Sequence, residues 1–140
     1  MTVQVNYLAV LLAAIVSMGI GFLWYSPMVL GKQWMKEKGL TAEKLKSAQK
    51  EMGVLYGVSF VLALVMAYIL SHVMVFSLNF YHMSELSTGL MSAFWMWLGF
   101  VMPTQASATI FGGKNWKLLG IDTGFQLVSL LAMGTVLALL

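Results

Sequence analysis

Residues 5–25 read VNYLAVLLAAIVSMGIGFLWY, an apolar run without a single charged side chain. A bilayer core about 30 Å thick takes ~20 residues of helix to cross, so this run is long enough to span one. A removable leader would open on a positive segment, and Met1 to Asn6 carries no lysine or arginine. The run is therefore expected to stay in the protein as its first span. Working outward, three more runs qualify, at about Met52–Leu78, Thr88–Phe111 and Leu119–Leu140. Asp122 is the one charge inside any of them.

The rest of the composition agrees with that reading. The chain has 140 residues, enough for one domain, and is 60% apolar and 9% charged. Soluble domains carry about 25% charged residues, so these few cannot dress a water-facing surface. All the basic residues are lysines, and Lys32, Lys36, Lys38, Lys44, Lys46 and Lys50 share the first loop. Lys114 and Lys117 occupy the third loop, while the second loop and both tails have none. The positive-inside rule then places loops one and three in the cytoplasm and both termini outside. Trp24, Trp34 and Trp116 fall at span ends, where indole rings favour headgroup depth, and are expected to act as interface anchors. Thr41 is a candidate N-cap, with Glu43 in the following turn, where the helix dipole favours a carboxylate. Ala42, Leu45, Ala48 and Met52 recur at helical spacing, predicting an amphipathic loop helix over about 41–51 that runs unbroken into the second span. Such a helix can dock on anionic headgroups, or its lysines can simply enforce topology and solvate the loop.

The two halves of the chain resemble one another. Gly21-Phe22 followed by Gly31-Lys32-Gln33-Trp34 is echoed by Gly99-Phe100 followed by Gly113-Lys114-Asn115-Trp116. Gly53 and Gly57 correspond at one constant offset to Gly120 and Gly124, as do Val61 to Val128 and Met66 to Met133. Two spans per half make these parallel repeats, related by an axis along the membrane normal. Small residues four apart let helix backbones approach closely in lipid. Gly53, Gly57, Gly120 and Gly124 are thus expected to serve helix packing, within or between subunits. Ser17 and Gly21 have the same spacing.

Few residues carry chemistry. Asp122 stands a few residues inside the lysine-rich end of the last span, with Gln126 one turn deeper on the same face. It reads either as a proton or cation site at the mouth of a pathway, or as a capping residue neutralised by Lys114 and Lys117. Pro103 is expected to break span three, because it removes a helix hydrogen bond and clashes with the preceding turn. Thr104, Gln105, Ser107 and Thr109 follow it. They can line a hydrated cavity, or the hydroxyls can satisfy the freed carbonyls of their own helix. Gln105 is the one least easily explained by self-satisfaction. His72 and His82, ten residues apart, do not make a metal-ligand spacing. With no cysteine there is no disulfide or thiolate chemistry. No Walker loop, nucleophile elbow or zinc-protease motif occurs, so neither an enzyme nor a cofactor is expected.

Gly21-Phe22-Leu23-Trp24-Tyr25-Ser26-Pro27, then Gly31-Lys32-x-Trp34, forms one distinctive segment, and Trp95-x-Trp97-x-Gly99-Phe100 another. With Asn6 near the start of span one, these resemble the bacterial membrane family known as domain of unknown function 1761, over nearly the whole chain. The resemblance implies a compact four-span protein, in a bacterial inner membrane, and supplies no site residues. The expectation is an all-α integral membrane bundle of four transmembrane helices, built as two parallel two-helix repeats. The leading functional expectation is a homo-oligomer, a dimer first, that binds or passes a small solute, ion or lipid along Asp122, Gln126, Thr104 and Gln105. Its rival is a structural subunit that docks other membrane proteins through glycine-rich helix faces. The bilayer is the expected partner in either case, and no nucleic-acid partner is expected.

Overall fold

The computed structural model describes residues 3–140; Met1 and Thr2, the start of the uncharged tail, lie outside the described residues. Five helices follow in order: α1 (Tyr7–Trp24), α2 (Gly31–Lys38), α3 (Ala42–Tyr81), α4 (Glu85–Phe111) and α5 (Trp116–Leu139). Four of them, all but α2, are long and apolar enough to cross a membrane. Each of these four starts on a side-chain cap. Asn6, Thr41, Ser84 and Asn115 accept from the backbone N–H groups of Ala9, Lys44, Ser87 and Leu118, which the first helical turn leaves without partners.

The first loop folds into two pieces. Gly31–Lys38 forms the short helix α2, ended by Gly39 in the left-handed region at φ 67°. After the Thr41 cap, the amphipathic stretch and the second span make one helix of 40 residues. At 1.5 Å per residue it is ~60 Å long, about twice the apolar thickness of a bilayer.

Pro103 does not break α4, contrary to expectation. The helix widens into a π-helical turn over Trp97–Val101 and resumes its α-helical course at Met102. Proline lacks an N–H and its ring crowds the carbonyl four residues back, and a wider turn relieves both problems. The Thr104 hydroxyl donates to the carbonyls of Phe100 (2.6 Å) and Val101 (2.9 Å), adding a donor where the proline removed one.

The four long helices pack as a ring in which α1 lies beside α3, α3 beside α4, α4 beside α5, and α5 back against α1. The core inside it consists mainly of small residues. Seven of the thirteen buried hydrophobic residues among those described are alanines, including Ala9, Ala13, Ala14, Ala63, Ala67 and Ala93. Large apolar side chains such as Leu8, Ile15, Val61, Phe76 and Trp95 point outward. That distribution suits helices whose surroundings are as apolar as their interior, where close backbone approach is what holds them together. The tightest approach is between α4 and α5. A Cβ on Gly89 would collide with the carbonyl of Gly134, and one on Gly134 with the carbonyl of Gly89.

The glycines expected to pack helices divide. Gly53, Gly57 and Gly120 face open space, so they make no helix contact within this chain. Gly124 lies under the ring of Trp24, and Gly21 beside the ring of Phe125. The close crossing falls at Gly89 and Gly134 because there both backbones lack a side chain at the same level.

The core is concentrated toward one end. The buried residues of α3 begin at Ala63 and those of α4 stop at Ala93. Both belong to the half of the bundle where the α3–α4 turn lies and where the Asn6 amide donates to the carbonyl of Leu140 (3.1 Å). Toward the lysine-bearing loops α3 and α4 bury nothing, and the ring opens. That opening creates the sites considered next.

Candidate functional site

The opening between α1, α4 and α5 is a crevice of about 430 Å³ at the lysine-rich end. Its polar lining includes Tyr25, Gln105, Asn115, Asp122 and Gln126. Three residues singled out from the sequence, Asp122, Gln126 and Gln105, therefore meet in one space. Thr104 does not join them: it is exposed and its hydroxyl is used within its own helix.

Each wall has a local cause. Tyr25 ends α1, and the chain turns sharply after it, with the N–H of Gly31 donating to the carbonyl of Ser26 (2.8 Å) and that of Leu30 to Trp24 (3.0 Å). Only glycine fits position 31, since a Cβ there would overlap the carbonyl of Tyr25. The turn aims the Tyr25 ring across to α5, where its hydroxyl donates to Oδ1 of Asp122 at 2.7 Å. The ring packs edge-on against Trp34 and Phe125, each 5.3 Å away between centroids. A phenol is thus the hydrogen-bond partner of Asp122, in place of the lysines expected from sequence; Lys114 and Lys117 are exposed.

Two tryptophans hold α5 in place on either side of Asp122. The Trp24 indole N–H donates to the carbonyl of Ile121 (3.0 Å), and that of Trp97 donates to Thr123 (2.9 Å). Trp24 was expected as a headgroup anchor, yet its polar atom is spent inside the bundle. Gly124 makes this seat possible, since a Cβ there would approach the Trp24 ring to 3.1 Å. Trp34 is half-buried beside Tyr25, with the Lys38 ammonium 4.9 Å from its ring centre. Trp116 is 56% exposed, the most open of the three expected anchors.

Asn115 closes the floor. Its carbonyl oxygen caps α5, and its amide donates to both the backbone carbonyl and the carboxylate of Glu37 (3.2 Å each), fixing α2 to the start of α5. Gln105 is the exception to this satisfied network. Its Oε1 is buried without a hydrogen-bond partner, the only such side-chain atom among the described residues. A buried acceptor left unmade costs ~1–3 kcal/mol.

A second opening adjoins the first. A groove of about 310 Å³ runs between α1 and α3, bordered by Met18, Phe22, Tyr56, Leu62 and Met66. Tyr25, Phe125 and Gln126 line both spaces. Deeper in the bundle, Ser17 and Ser129 pair through their hydroxyls at 2.5 Å. Beyond that pair Leu70, Leu130 and Met133 are packed shut.

Sequence reasoning missed Tyr25, Asn115 and Trp97 as parts of this site. Tyr25 and Asp122 each lie at the lysine-rich end of an apolar run, and that shared depth was the available signal. The segment Trp24-Tyr25-Ser26-Pro27…Gly31-x-x-Trp34, noted for its distinctiveness, supplies Tyr25 to the lining and Trp34 as the ring packed against it.

No curated protein and no solved structure matches this chain. The family described as protein of unknown function (DUF1761) matches residues 8–138, nearly the full length and all five helices in whole or in large part. The chain belongs to that family.

Proposed function

We propose that this is a four-span membrane protein whose crevice holds a small ligand bearing N–H donors and a positive charge. One observation carries the reading: Asp122, Gln126 and Gln105, whose Oε1 is buried without a partner, are residues of the same crevice. A carboxylate and two side-chain amides can offer acceptor oxygens, and an ammonium group, with three donors and no acceptor, complements them. Packing of Leu70, Leu130 and Met133 beyond the Ser17–Ser129 pair favours holding a ligand over passing it through a single chain. The reading is of a binding protein and not an enzyme.

The surrounding membrane assignment rests on the same features as before. Four long apolar helices with large side chains outward fit a bilayer, and lysines confined to loops one and three favour a cytoplasmic side for those loops and an inner-face crevice. The half-repeats at Gly53/Gly57 and Gly120/Gly124 support an origin as two parallel hairpins.

The test is the unfolding midpoint of the detergent-solubilised protein in ethylammonium chloride, with sodium chloride at equal ionic strength as reference. Binding adds RT ln(1 + [L]/Kd), or ~2.7 kcal/mol at one hundred times Kd. The wild type should be stabilised by ethylammonium, and Asp122→Asn should not. Equal response of the two proteins would rule the site out.

A second reading is favoured by the open faces at Gly53 and Gly57 on α3: these would dock a second copy or another membrane protein. Crosslinking in native membranes from positions on that face distinguishes a homodimer from a foreign partner. A chain that stays uncrosslinked there would remove this reading.

A further inference from the structure

From the adjacency of the crevice and the groove we infer the class of ligand: an aminophospholipid of the inner leaflet, its ammonium in the crevice and one acyl chain in the groove between α1 and α3. The inference rests on the crevice being a ligand site. Three features of the groove carry it further.

The first is adjacency. Tyr25, Phe125 and Gln126 border both spaces, so a polar head in the crevice lies within one side chain's width of an apolar chain in the groove, with the edge of the Tyr25–Phe125 pair between them. The second is length. The groove follows α1 from Tyr25 back to Ser17 and α3 from Tyr56 to Met66, which at 1.5 Å per residue is ~12–15 Å. Half of a ~30 Å hydrocarbon core is ~15 Å, so the groove covers the depth of one leaflet. The third is charge. The Asp122 carboxylate and the unpartnered Gln105 Oε1 suit a donor-bearing cation at headgroup depth. Phosphatidylethanolamine presents an ammonium with N–H donors. Phosphatidylcholine keeps the charge and the chains but has no N–H, so it isolates the hydrogen bonds.

The experiment reconstitutes the full chain in vesicles holding equal amounts of phosphatidylethanolamine and phosphatidylcholine with identical chains. The protein is then extracted in mild detergent, and the lipid that stays bound is quantified by mass spectrometry. The wild type should retain phosphatidylethanolamine over phosphatidylcholine by about tenfold, the discrimination one charge-assisted hydrogen bond gives. Asp122→Asn should lose the preference. Ser59→Phe, which fills the groove from an exposed position, should lose the bound lipid yet keep its stabilisation by ethylammonium. If wild type and Ser59→Phe retain the two lipids equally while ethylammonium still stabilises both, the lipid assignment is overturned and the crevice remains a site for small ammonium ions. If ethylammonium stabilises neither and no preference appears, both readings fall.

Discussion

Tyr25 and Asp122 are the pair on which the site turns. Their hydrogen bond joins the end of α1 to the second turn of α5 at 2.7 Å, and the Tyr25 ring is held independently by Trp34 and Phe125. Tyr25→Phe keeps the ring packing and removes only the hydroxyl. It should lower stability by about 1 kcal/mol, the net worth of an ordinary hydrogen bond, measured by denaturation in detergent micelles. Because Asp122 then has one acceptor site freed for the ligand, the ethylammonium response should persist. The buried Ser17–Ser129 pair gives a parallel case with a smaller figure. Interhelical hydrogen bonds in membranes average ~0.6 kcal/mol, so Ser129→Ala should cost about that much, and a loss of several kcal/mol would contradict the packing described. At this scale the sequence was partly legible. Asp122, Gln126 and Gln105 stand out because a polar group in an apolar run is conspicuous wherever it falls. Tyr25 does not, since tyrosine at a span end is ordinary and only the three-dimensional turn at Gly31 aims it inward.

Among the elements, α4 and α5 define how the bundle closes. Their crossing at Gly89 and Gly134 leaves no room for a side chain on either helix. Gly134→Ala should therefore destabilise by roughly 1–3 kcal/mol, the range for overpacking. Gly57→Ala, with open space around it, should be neutral or stabilising by up to ~1 kcal/mol through helix propensity. Thermal denaturation of the two variants side by side checks both, and a larger loss at Gly57 would mean that its face is covered by a partner. Of the glycines picked out by spacing, Gly124 meets another helix inside this chain, under the Trp24 ring, while Gly53, Gly57 and Gly120 do not. A Gly-x-x-x-Gly pattern records where a backbone can approach, while the approach itself needs a matching gap on the facing helix. Position 134 has such a gap opposite it, at Gly89, and position 57 has none. The course of α4 was also misread at Pro103. The penalty of proline is real, but a π-helical turn over Trp97–Val101 and the Thr104 hydroxyl absorb it without ending the helix.

For the molecule as a whole, the fold class was the most legible feature, because four long uncharged runs leave a chain few alternatives to membrane-length helices. What the sequence did not reveal is that the bundle is closed at one end and open at the other. That asymmetry arises from where the alanines fall. Ala9, Ala13, Ala14, Ala67 and Ala93 pack the part of the bundle nearer the end where the Asn6 amide meets the Leu140 carbonyl, and Ala63 sits where the packed part gives way to the groove. Topology is testable in the same molecule, since the chain has no cysteine and any single introduced thiol reports alone. Ser47→Cys, in the lysine-rich loop, should react with a membrane-impermeant maleimide only after the membrane is opened. Ser84→Cys, between α3 and α4, should react from outside in intact cells. The reverse pattern would invert the orientation and put the crevice on the outer face.

The central claim is that the crevice around Asp122 is occupied by a ligand in the working protein. Native mass spectrometry of the chain released from its own membranes in a mild detergent measures this most directly, with Asp122→Asn alongside. The account predicts a defined adduct on the wild type, of mass matching an aminophospholipid, that is lost or strongly reduced in the variant. A wild type that emerges bare, or an adduct equally abundant on both proteins, would contradict it.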